Sequence, residues 1–251
     1  MATLHPRTAW TGPGPATALP PPRHPVPEQP RRETYRSQAG RYDQRTEAFR
    51  PWRELLVGHL PARHGDTVLD VGCGTGLCLP LLQDKIGAAG TIIGIDASPQ
   101  MIQVAGDRVT ESGWQNVRLL TVPVADAPID CIADAALFCA VHDLLQSPAA
   151  LNQVFDHLRP GAVVAAIGGK WPAPWLWGLR AWVADLHAPF IHDFTGFDRP
   201  WRLLSQYLDN LRVHELGSGA GYLALGRARS RCRSNAQEPS RTETGTHRNI
   251  R

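Results

Sequence analysis

The sequence predicts an α/β fold with an open, doubly wound sheet of mostly parallel strands. The first indication is residues 67–76, TVLDVGCGTG, where an apolar strand runs into three glycines at every second position. The second is Asp96, which ends another apolar strand twenty residues after the last of those glycines. The third is the alternation of apolar runs with helical patterns, because right-handed crossovers between such elements build a parallel sheet. With 251 residues, 43% of them apolar, the chain is long enough for one such domain.

The individual elements follow from local patterns. From Glu33 to Leu60 apolar side chains recur at helical spacing, and Pro51 must lie at a helix start or break. Ser98 and Pro99 are typical of an N-cap and first helical residue, so a helix is expected directly after them. The predicted strands cover residues 67–71, 91–96, 117–122, 133–139 and 162–167, and the predicted helices between them cover 77–86, 100–109 and 148–158.

Beyond the fifth strand the alternation ends. Residues 171–201 hold an excess of tryptophan and phenylalanine, interrupted by prolines and glycines. Aromatic side chains in such number form either core or a binding surface. Two short β-like runs, 212–216 and 222–225, are joined by GSGAG and predict a hairpin-like end to the fold.

The two ends of the chain differ from the rest. The first thirty residues hold nine prolines, so residues 1–33 are expected to form a disordered leader. A polyproline ligand for an aromatic groove is the alternative use of such a segment. Residues 227–251 carry seven arginines against two glutamates, which predicts a disordered basic tail. The folded domain is therefore expected over residues 34–226.

The composition argues against several classes of protein. The formal charge of +3 comes from the two ends, so no nucleic-acid-binding face is expected on the folded part. No apolar run approaches the roughly 18 to 20 residues that span a bilayer. The five cysteines form no CxxC pair and follow no signal peptide, which indicates reduced thiols and a cytoplasmic location. His187, His192 and Asp193 lack a further ligand at a recognisable spacing, so no metal site is expected.

The glycine stretch has the composition of a site for a nucleotide-type cofactor. Its glycines let the backbone turn sharply and approach a ligand closely at the end of a strand. The helix that follows would direct free N–H groups toward that ligand. The carboxylate of Asp96 could accept both hydroxyls of a ribose. Burial of Asp70 inside an apolar strand end is costly unless its carboxylate meets a cation or several donors, and an ammonium group would suit it.

The spacing of the glycines separates two classes of cofactor. The dinucleotide fingerprint is GxGxxG, whereas this chain has GxGxG. VLDVGCGTG followed by IIGIDASPQMI resembles the first two motifs of the class I S-adenosylmethionine-dependent methyltransferases, and the similarity covers roughly residues 42–226. The resemblance implies a Rossmann-like sheet of seven strands with the last strand antiparallel and helices on both faces. It also implies S-adenosyl-L-methionine as the cofactor.

The resemblance assigns site residues as well. The glycine stretch would hold the methionyl part of the cofactor and Asp96 its ribose, while Ala97 and Met101 would flank the adenosine. The family often places an acidic residue just after the third strand, where this chain has Pro123 followed by Val124. Residues 138–142 would lie beside the sulfonium. The expected cofactor-binding residues are Asp70, Gly72, Cys73, Gly74, Gly76, Asp96, Ala97, Met101, Val124 and Cys139.

Catalytic and substrate residues are less directly indicated. His142 with Asp143 is either a general base with its orienting carboxylate or a cap of local backbone, and His142 is the candidate catalytic residue. The family uses insertions between strands five and six as substrate lids, so residues 171–201 are interpreted as a lid, with core as the alternative. Tyr42, Trp171 and Trp175 are the candidate substrate contacts.

The predicted reaction is an in-line displacement that moves a sulfonium methyl group to a nucleophile. The aromatic segment fits a small apolar or lipid-like acceptor, and the resemblance is closest to ubiquinone, menaquinone and phospholipid methyltransferases. Such an acceptor is compatible with peripheral membrane contact. Two alternatives stay open: a binding or regulatory protein that keeps the fold without turnover, and a nicotinamide-dependent oxidoreductase, which the glycine spacing disfavours.

Overall fold

A computed structural model describes residues 42–191 and 193–230. The predicted leader and all but residues 227–230 of the predicted tail lie outside these residues. The described chain forms a seven-stranded sheet. Its strands are β1 (Thr67–Val71), β2 (Thr91–Asp96), β3 (Val117–Thr121), β4 (Ala133–Cys139), β5 (Leu158–Gly169), β6 (Leu208–Leu216) and β7 (Gly221–Ala228).

Helices connect most of these strands. They are α1 (Arg50–His59), α2 (Leu79–Ile86), α3 (Pro99–Glu111), α4 (His142–Leu145), α5 (Pro148–Asp156) and α6 (Trp177–His187). A short helical turn at 42–46 precedes α1, and Pro51 is the second residue of α1, as expected for proline. Ser98 Oγ accepts the N–H of Met101 at 3.4 Å, so the predicted N-cap of α3 is confirmed. Among the described residues, no helix combines the length and apolarity needed to cross a membrane.

The strand order is β3-β2-β1-β4-β5-β7-β6. β1 pairs in parallel with β2 on one side and β4 on the other, and β4 pairs in parallel with β5. β7 runs antiparallel to both β5 and β6, so the last strand is reversed and the predicted hairpin is confirmed. The chain changes direction across the sheet between β1 and β4, and open α/β sheets bind ligands at such a switch point.

Several element boundaries differ from the sequence prediction, most of all the starts of β5 and β6, which lie at Leu158 and Leu208 instead of 162 and 212. α5 ends at Asp156 and β5 begins at Leu158, because Leu158 already pairs with Ala133 across an irregular register. The predicted helix continued to Leu158, and the predicted strand began only at Ala162. At the other end, β7 continues to Ala228, which pairs with Leu208. The fold therefore includes two residues that the sequence placed in the tail.

The core lies on both faces of the sheet. Successive residues of a strand point to opposite faces, so Val68 packs with α1 and α2 while Leu69 and Val71 pack with α5. All three side chains are fully buried. This explains why Val68, Leu69 and Val71 of β1 are apolar and leaves Asp70 as a buried carboxyl near the end of the strand.

Candidate active site

A cleft opens at the carboxyl ends of β1, β4 and β5. The glycine stretch forms one wall, and residues 139–142, which follow β4, form the next. The end of α6 and the aromatic residues after it line the opposite side. The helical turn 42–46 and α1 complete the lining, so the cleft occupies the switch point that the topology predicts.

The three glycines of the stretch have positive φ angles of 71°, 55° and 77° at positions 72, 74 and 76. A Cβ on Gly72 would lie 2.5 Å from Cγ1 of Val141, so this glycine allows the loop to pack against the residues after β4. A Cβ on Gly74 would meet no protein atom within 4 Å. Gly74 therefore leaves open space at the cleft wall, where a ligand could approach the backbone.

Asp96 joins the glycine stretch to the end of β2. Its Oδ2 accepts the N–H of Gly74 at 3.0 Å, and its Oδ1 accepts the N–H of Ser98 at 2.8 Å. Burial raises the pKa of the Asp96 carboxyl, and the two backbone N–H groups counteract that shift. Each carboxylate oxygen retains a further lone-pair direction for a hydroxyl donor.

Asp70 is a buried carboxyl without a full set of partners. It is 1% exposed, and among the described residues no donor reaches its Oδ2. Burial, with a further contribution from the Asp96 charge, raises the pKa of Asp70 to about 7. Two carboxyl groups at the ends of neighbouring strands thus create a site that favours a cationic ligand.

Arg53 of α1 brings a positive charge to the same cleft, and the sequence reasoning missed it. Its side chain is buried, and Nη1 donates to the carbonyl of Thr46 at 3.1 Å. Within residues 42–191 and 193–230, no carboxylate lies within ion-pair distance of it. A sequence signal existed, because Arg53 precedes the buried Leu56 and Leu60 at helical spacing and thus occupies the apolar face of α1.

The turn at 42–46 is tied to the glycine stretch. Asp43 Oδ1 accepts the hydroxyl of Thr75 at 2.6 Å, and its Oδ2 pairs with Arg108 Nη2 at 2.6 Å. Arg108 Nε also donates to the carbonyl of Thr75 at 3.2 Å. Next to this contact, the ring of Tyr42 meets Phe190 edge-on at 5.9 Å. The turn therefore connects α3 and the glycine stretch with the aromatic segment across the cleft.

Two histidines of the cleft flank the buried Phe197. The His142 and His187 rings lie 5.1 Å and 5.3 Å from the Phe197 ring. His142 Nε2 lies 3.1 Å from the carbonyl of Thr195, which can only accept, so this nitrogen carries the proton and Nδ1 is the basic atom of the neutral ring. Burial, and then the charge of His142, lower the pKa of His187 to about 4, so His187 is neutral at pH 7.

Three thiols line the cleft. Burial and the Asp70 charge raise the pKa of Cys73 well above its ordinary value. A hydrogen bond with Cys139, followed by burial, does the same for Cys78. The four cysteines of the described chain, Cys73, Cys78, Cys131 and Cys139, are all free.

The structure brings some of the predicted site residues together and leaves others apart. Of the predicted residues, the cleft is lined by Tyr42, Asp70, Gly72, Cys73, Gly74, Cys139 and His142. Asp96 reaches its edge through Gly74. Gly76, Ala97, Met101, Val124, Trp171 and Trp175 are not among its lining residues.

Packing accounts for most of these exceptions. Gly76 lies against Leu79 and Ala105, while Met101 and Val124 are 2% and 3% exposed. Trp171 is half-buried and stacks on Phe194. Trp175 is 78% exposed and points away from the core.

The sequence reasoning treated His187 as an ordinary surface or core histidine, yet it lines the cleft. Its signal is the spacing of Val183, Leu186, His187 and Phe190, which share one face at the end of α6. Among the described residues, no group of three or more histidine, cysteine or carboxylate side chains could hold a metal ion.

Comparison with known proteins shows what this chain is similar to. Residues 68–161 match a family described as "Methyltransferase domain". A 2-phytyl-1,4-naphtoquinone methyltransferase of Synechococcus elongatus is 31% identical over 147 residues, which are 56% of this chain and 54% of that protein. The resemblance to S-adenosylmethionine-dependent methyltransferases is thus confirmed over residues 68–161. The match thus spans about half the length of that curated relative.

Solved methyltransferases share the fold of this domain. One is an Aquifex aeolicus enzyme described as a SAM-dependent methyltransferase, with a TM-score of 0.53 and 22% identity over 76% of this chain and 97% of that one. Another is geranyl diphosphate C-methyltransferase of Streptomyces coelicolor, solved with Mg²⁺, geranyl diphosphate and S-adenosyl-L-homocysteine. Its TM-score is 0.56 with 20% identity, and the match covers 72% of this chain and 79% of the Streptomyces coelicolor chain.

Proposed function

We propose that the protein is an S-adenosylmethionine-dependent methyltransferase that acts on a small, apolar or lipid-like acceptor. The observation that carries the proposal is the buried Asp70 carboxyl, whose Oδ2 has no donor among the described residues, next to a glycine loop that leaves open space at Gly74. Asp96 stands at the end of the neighbouring strand with both oxygens oriented by backbone N–H groups. When bound, the cofactor supplies an electrophilic methyl group on a sulfonium.

The charges of the cleft fit an amino-acid group. The ammonium of a methionyl moiety would pair with Asp70, and its carboxylate would pair with the buried Arg53. Asp96 would accept the ribose hydroxyls. Gly72, Cys73 and Gly74 would then lie along the methionyl chain. For Ala97, Met101 and Val124 we retain contact with the adenosine, although they lie outside the cleft lining.

The main catalytic task of the protein would be to position the methyl donor and the acceptor. Donor and acceptor must be held in line in a site from which water is excluded, and the aromatic and aliphatic side chains at the end of α6 supply such surroundings. If the acceptor must lose a proton, His142 is our first candidate for the base, through Nδ1. His187 is the second candidate, because it lines the opposite side of the cleft and is neutral at pH 7, but its lowered pKa makes it the weaker base.

The acceptor class rests on the cleft lining and on a relative. The wall opposite the glycine stretch is formed by Leu186, Phe190, Ile191 and Phe197, which suits an apolar molecule. The relative named above is a methyltransferase of a phytyl naphthoquinone. We therefore propose a quinone or isoprenoid-type acceptor for this chain. We also propose a cytoplasmic location with peripheral membrane contact, which the free thiols support.

Titration calorimetry with S-adenosylmethionine and S-adenosylhomocysteine tests the cofactor assignment. Asp96→Ala should weaken both ligands at least tenfold, because the ribose loses its acceptor and the glycine loop loses a tether. Asp130→Ala is the matched control, since Asp130 is an exposed aspartate that pairs with Arg118 far from the cleft. Equal and tight binding by wild type and Asp96→Ala would contradict the placement of the ribose.

Methyl transfer is tested separately with a radiolabelled methyl donor. We expect label in an isoprenoid naphthoquinone or its reduced form, and mass spectrometry should find one added CH₂ unit. Cofactor binding without label in any acceptor would favour the regulatory alternative. Turnover of a nicotinamide cofactor would favour an oxidoreductase and would overturn the proposal.

A further inference from the structure

The surface of α6 carries a concentration of exposed apolar side chains. Trp175, Leu176, Trp177 and Trp182 are 78%, 37%, 80% and 56% exposed, and we refer to these four residues as the indole patch. Among the described residues only one other large hydrophobic side chain, Ile132, is comparably exposed. Isolated surface hydrophobics are ordinary, but four within eight residues form a patch that calls for a partner.

Other side chains fill the space beneath α6, so the indoles of the patch cannot turn inward. Val183, on the opposite face of α6, is 1% exposed and packs with Phe197. Trp171 stacks on Phe194 at 5.0 Å, and its backbone N–H donates to the carbonyl of Phe197 at 2.9 Å. The space beneath α6 is thus occupied by other aromatic rings, so the indoles of the patch stay in solvent.

The patch presents almost no charge. Arg180 is the only charged residue between Trp171 and Asp185, and its half-buried guanidinium is engaged by neighbouring groups. It lies 4.9 Å from the centre of the Trp171 ring, and Nη1 donates to the carbonyl of Pro172 at 2.9 Å. An uncharged surface rich in indole rings matches the interfacial layer of a bilayer, where tryptophan places its apolar ring and its N–H donor at the headgroup level.

The same helix reaches the cleft. The patch extends from the two residues before α6 into its second turn, whereas Leu186 and His187 of its last turn line the cleft wall. α6 has 11 residues, too few to cross a bilayer, so it can only lie along the surface. We propose that the indole patch docks the protein on the interface of a lipid bilayer, next to the cleft that takes the apolar acceptor. This inference rests on the proposed function, since a lipid-like acceptor resides in that bilayer.

Vesicle flotation of the full chain tests the proposal. With vesicles of zwitterionic phosphatidylcholine, which has no net charge, we expect wild type to bind and a triple Trp175→Ser, Trp177→Ser, Trp182→Ser variant to lose affinity on the order of a hundredfold. Ile132→Ser is the matched control, because Ile132 is 59% exposed outside the patch, and it should bind as wild type does. Trp177→Ser alone should lose about fivefold and keeps the test valid if the triple variant folds poorly.

Salt and calorimetry separate the alternatives. Binding through the patch should persist at 0.5 M NaCl, whereas binding through the arginine-rich ends of the chain should fall steeply with salt and would overturn the proposal. The proposal also fails if wild type ignores vesicles, or if the triple variant binds them equally well. A patch that instead mediates self-association, seen by ultracentrifugation without vesicle binding, would contradict it too. Loss of vesicle binding with unchanged affinity for S-adenosylhomocysteine separates docking from the cofactor site.

Discussion

The carboxyl of Asp70 lies in surroundings that disfavour its charged form. Its side chain is buried with one oxygen that no described donor reaches, and its pKa is raised to about 7. The protonated form is therefore favoured in the free protein at slightly acidic pH, while pairing with an ammonium requires the charged form. The same burial that weakens the charge in the empty cleft strengthens its attraction for a cation once water is excluded.

The first prediction concerns the pH dependence of cofactor binding and of stability. Because the charged form of Asp70 is needed, affinity for S-adenosylhomocysteine should fall about tenfold per pH unit below 7. Unfolded aspartate titrates near 3.9, so the raised folded pKa makes the free protein lose stability as pH rises from about 4 through 7, by roughly 4 kcal/mol at most.

Asp70→Asn removes both effects. The variant should bind S-adenosylhomocysteine weakly at every pH, and relative to wild type its Tm should gain more at pH 8 than at pH 5. Calorimetry and thermal denaturation over pH 5 to 8 provide the measurements. A wild-type affinity that stays constant between pH 5.5 and 7 would show that Asp70 does not govern binding.

The second prediction uses two glycines with similar backbones. Gly74 and Gly113 have φ angles of 55° and 69°, and a Cβ on either would meet no protein atom within 4 Å. Alanine at each position should therefore cost a similar amount of stability, about 1 to 2 kcal/mol. Only Gly74→Ala should reduce cofactor affinity, by about tenfold or more, because its methyl group enters the space beside the methionyl chain. Equal affinity of the two variants would place the ligand elsewhere.

At the scale of elements, α1 packs on the sheet through several buried side chains, and its closest approach is at Gly221 of β7. A Cβ on Gly221 of β7 would overlap the ring of Trp52 in α1, and it would lie 3.2 Å from the carbonyl of Gly168. Gly58, also in α1, would place a Cβ in open space at ordinary helical geometry. Gly221 is thus required for the close contact between β7 and α1, whereas Gly58 makes no contact that requires glycine.

The third prediction follows from this contrast. Gly221→Ala should displace Trp52 and lower the free energy of unfolding by about 1 to 3 kcal/mol. Gly58→Ala should raise it by about 0.5 to 1 kcal/mol, because alanine is the better helix former. Chemical denaturation of both variants measures the two effects. A loss of stability in Gly58→Ala would mean that the surroundings of α1 are not as described.

Elements with a strong local signal were predicted from the sequence, and those fixed by distant contacts were not. β1, β2 and β4 were predicted with their observed bounds because they are continuous apolar runs flanked by turns. The start of β5 was missed because the pairing of Leu158 with Ala133 depends on a register shift between β4 and β5, which the local sequence does not specify. α6 was missed because its apolar spacing is interrupted by exposed tryptophans, which follow no core pattern.

The candidate site divides in the same way. The glycine stretch and Asp96 are contiguous motifs, so their proximity followed from strand order alone. Arg53 and His187 come from helices whose position over the cleft depends on tertiary packing. Local spacing places each side chain on the apolar face of its helix, but it does not specify that this face meets the site.

At the scale of the whole molecule, the fourth prediction concerns stabilisation by ligand. The turn at 42–46, the glycine stretch and α3 meet through Asp43, Thr75 and Arg108, so a ligand in the cleft contacts elements from several parts of the fold. At a concentration of one hundred times Kd, S-adenosylhomocysteine should stabilise the native state by about 2.7 kcal/mol and raise Tm by roughly 5 to 11 °C. NADH at the same concentration is the control and should leave Tm unchanged. An equal shift with NADH would contradict the cofactor assignment.

The protonation state of the cleft thiols determines whether a bound methyl donor would methylate the protein itself. Under the proposed function the cleft stores an alkylating agent, and a thiolate is the side-chain form that such an agent attacks most readily. Burial raises the pKa of Cys73 well above its ordinary value, and a hydrogen bond with Cys139, followed by burial, does the same for Cys78, so both thiols stay protonated. Cys73 and Cys78 are therefore poor nucleophiles, so the cleft can hold a reactive methyl group without methylation of these two thiols.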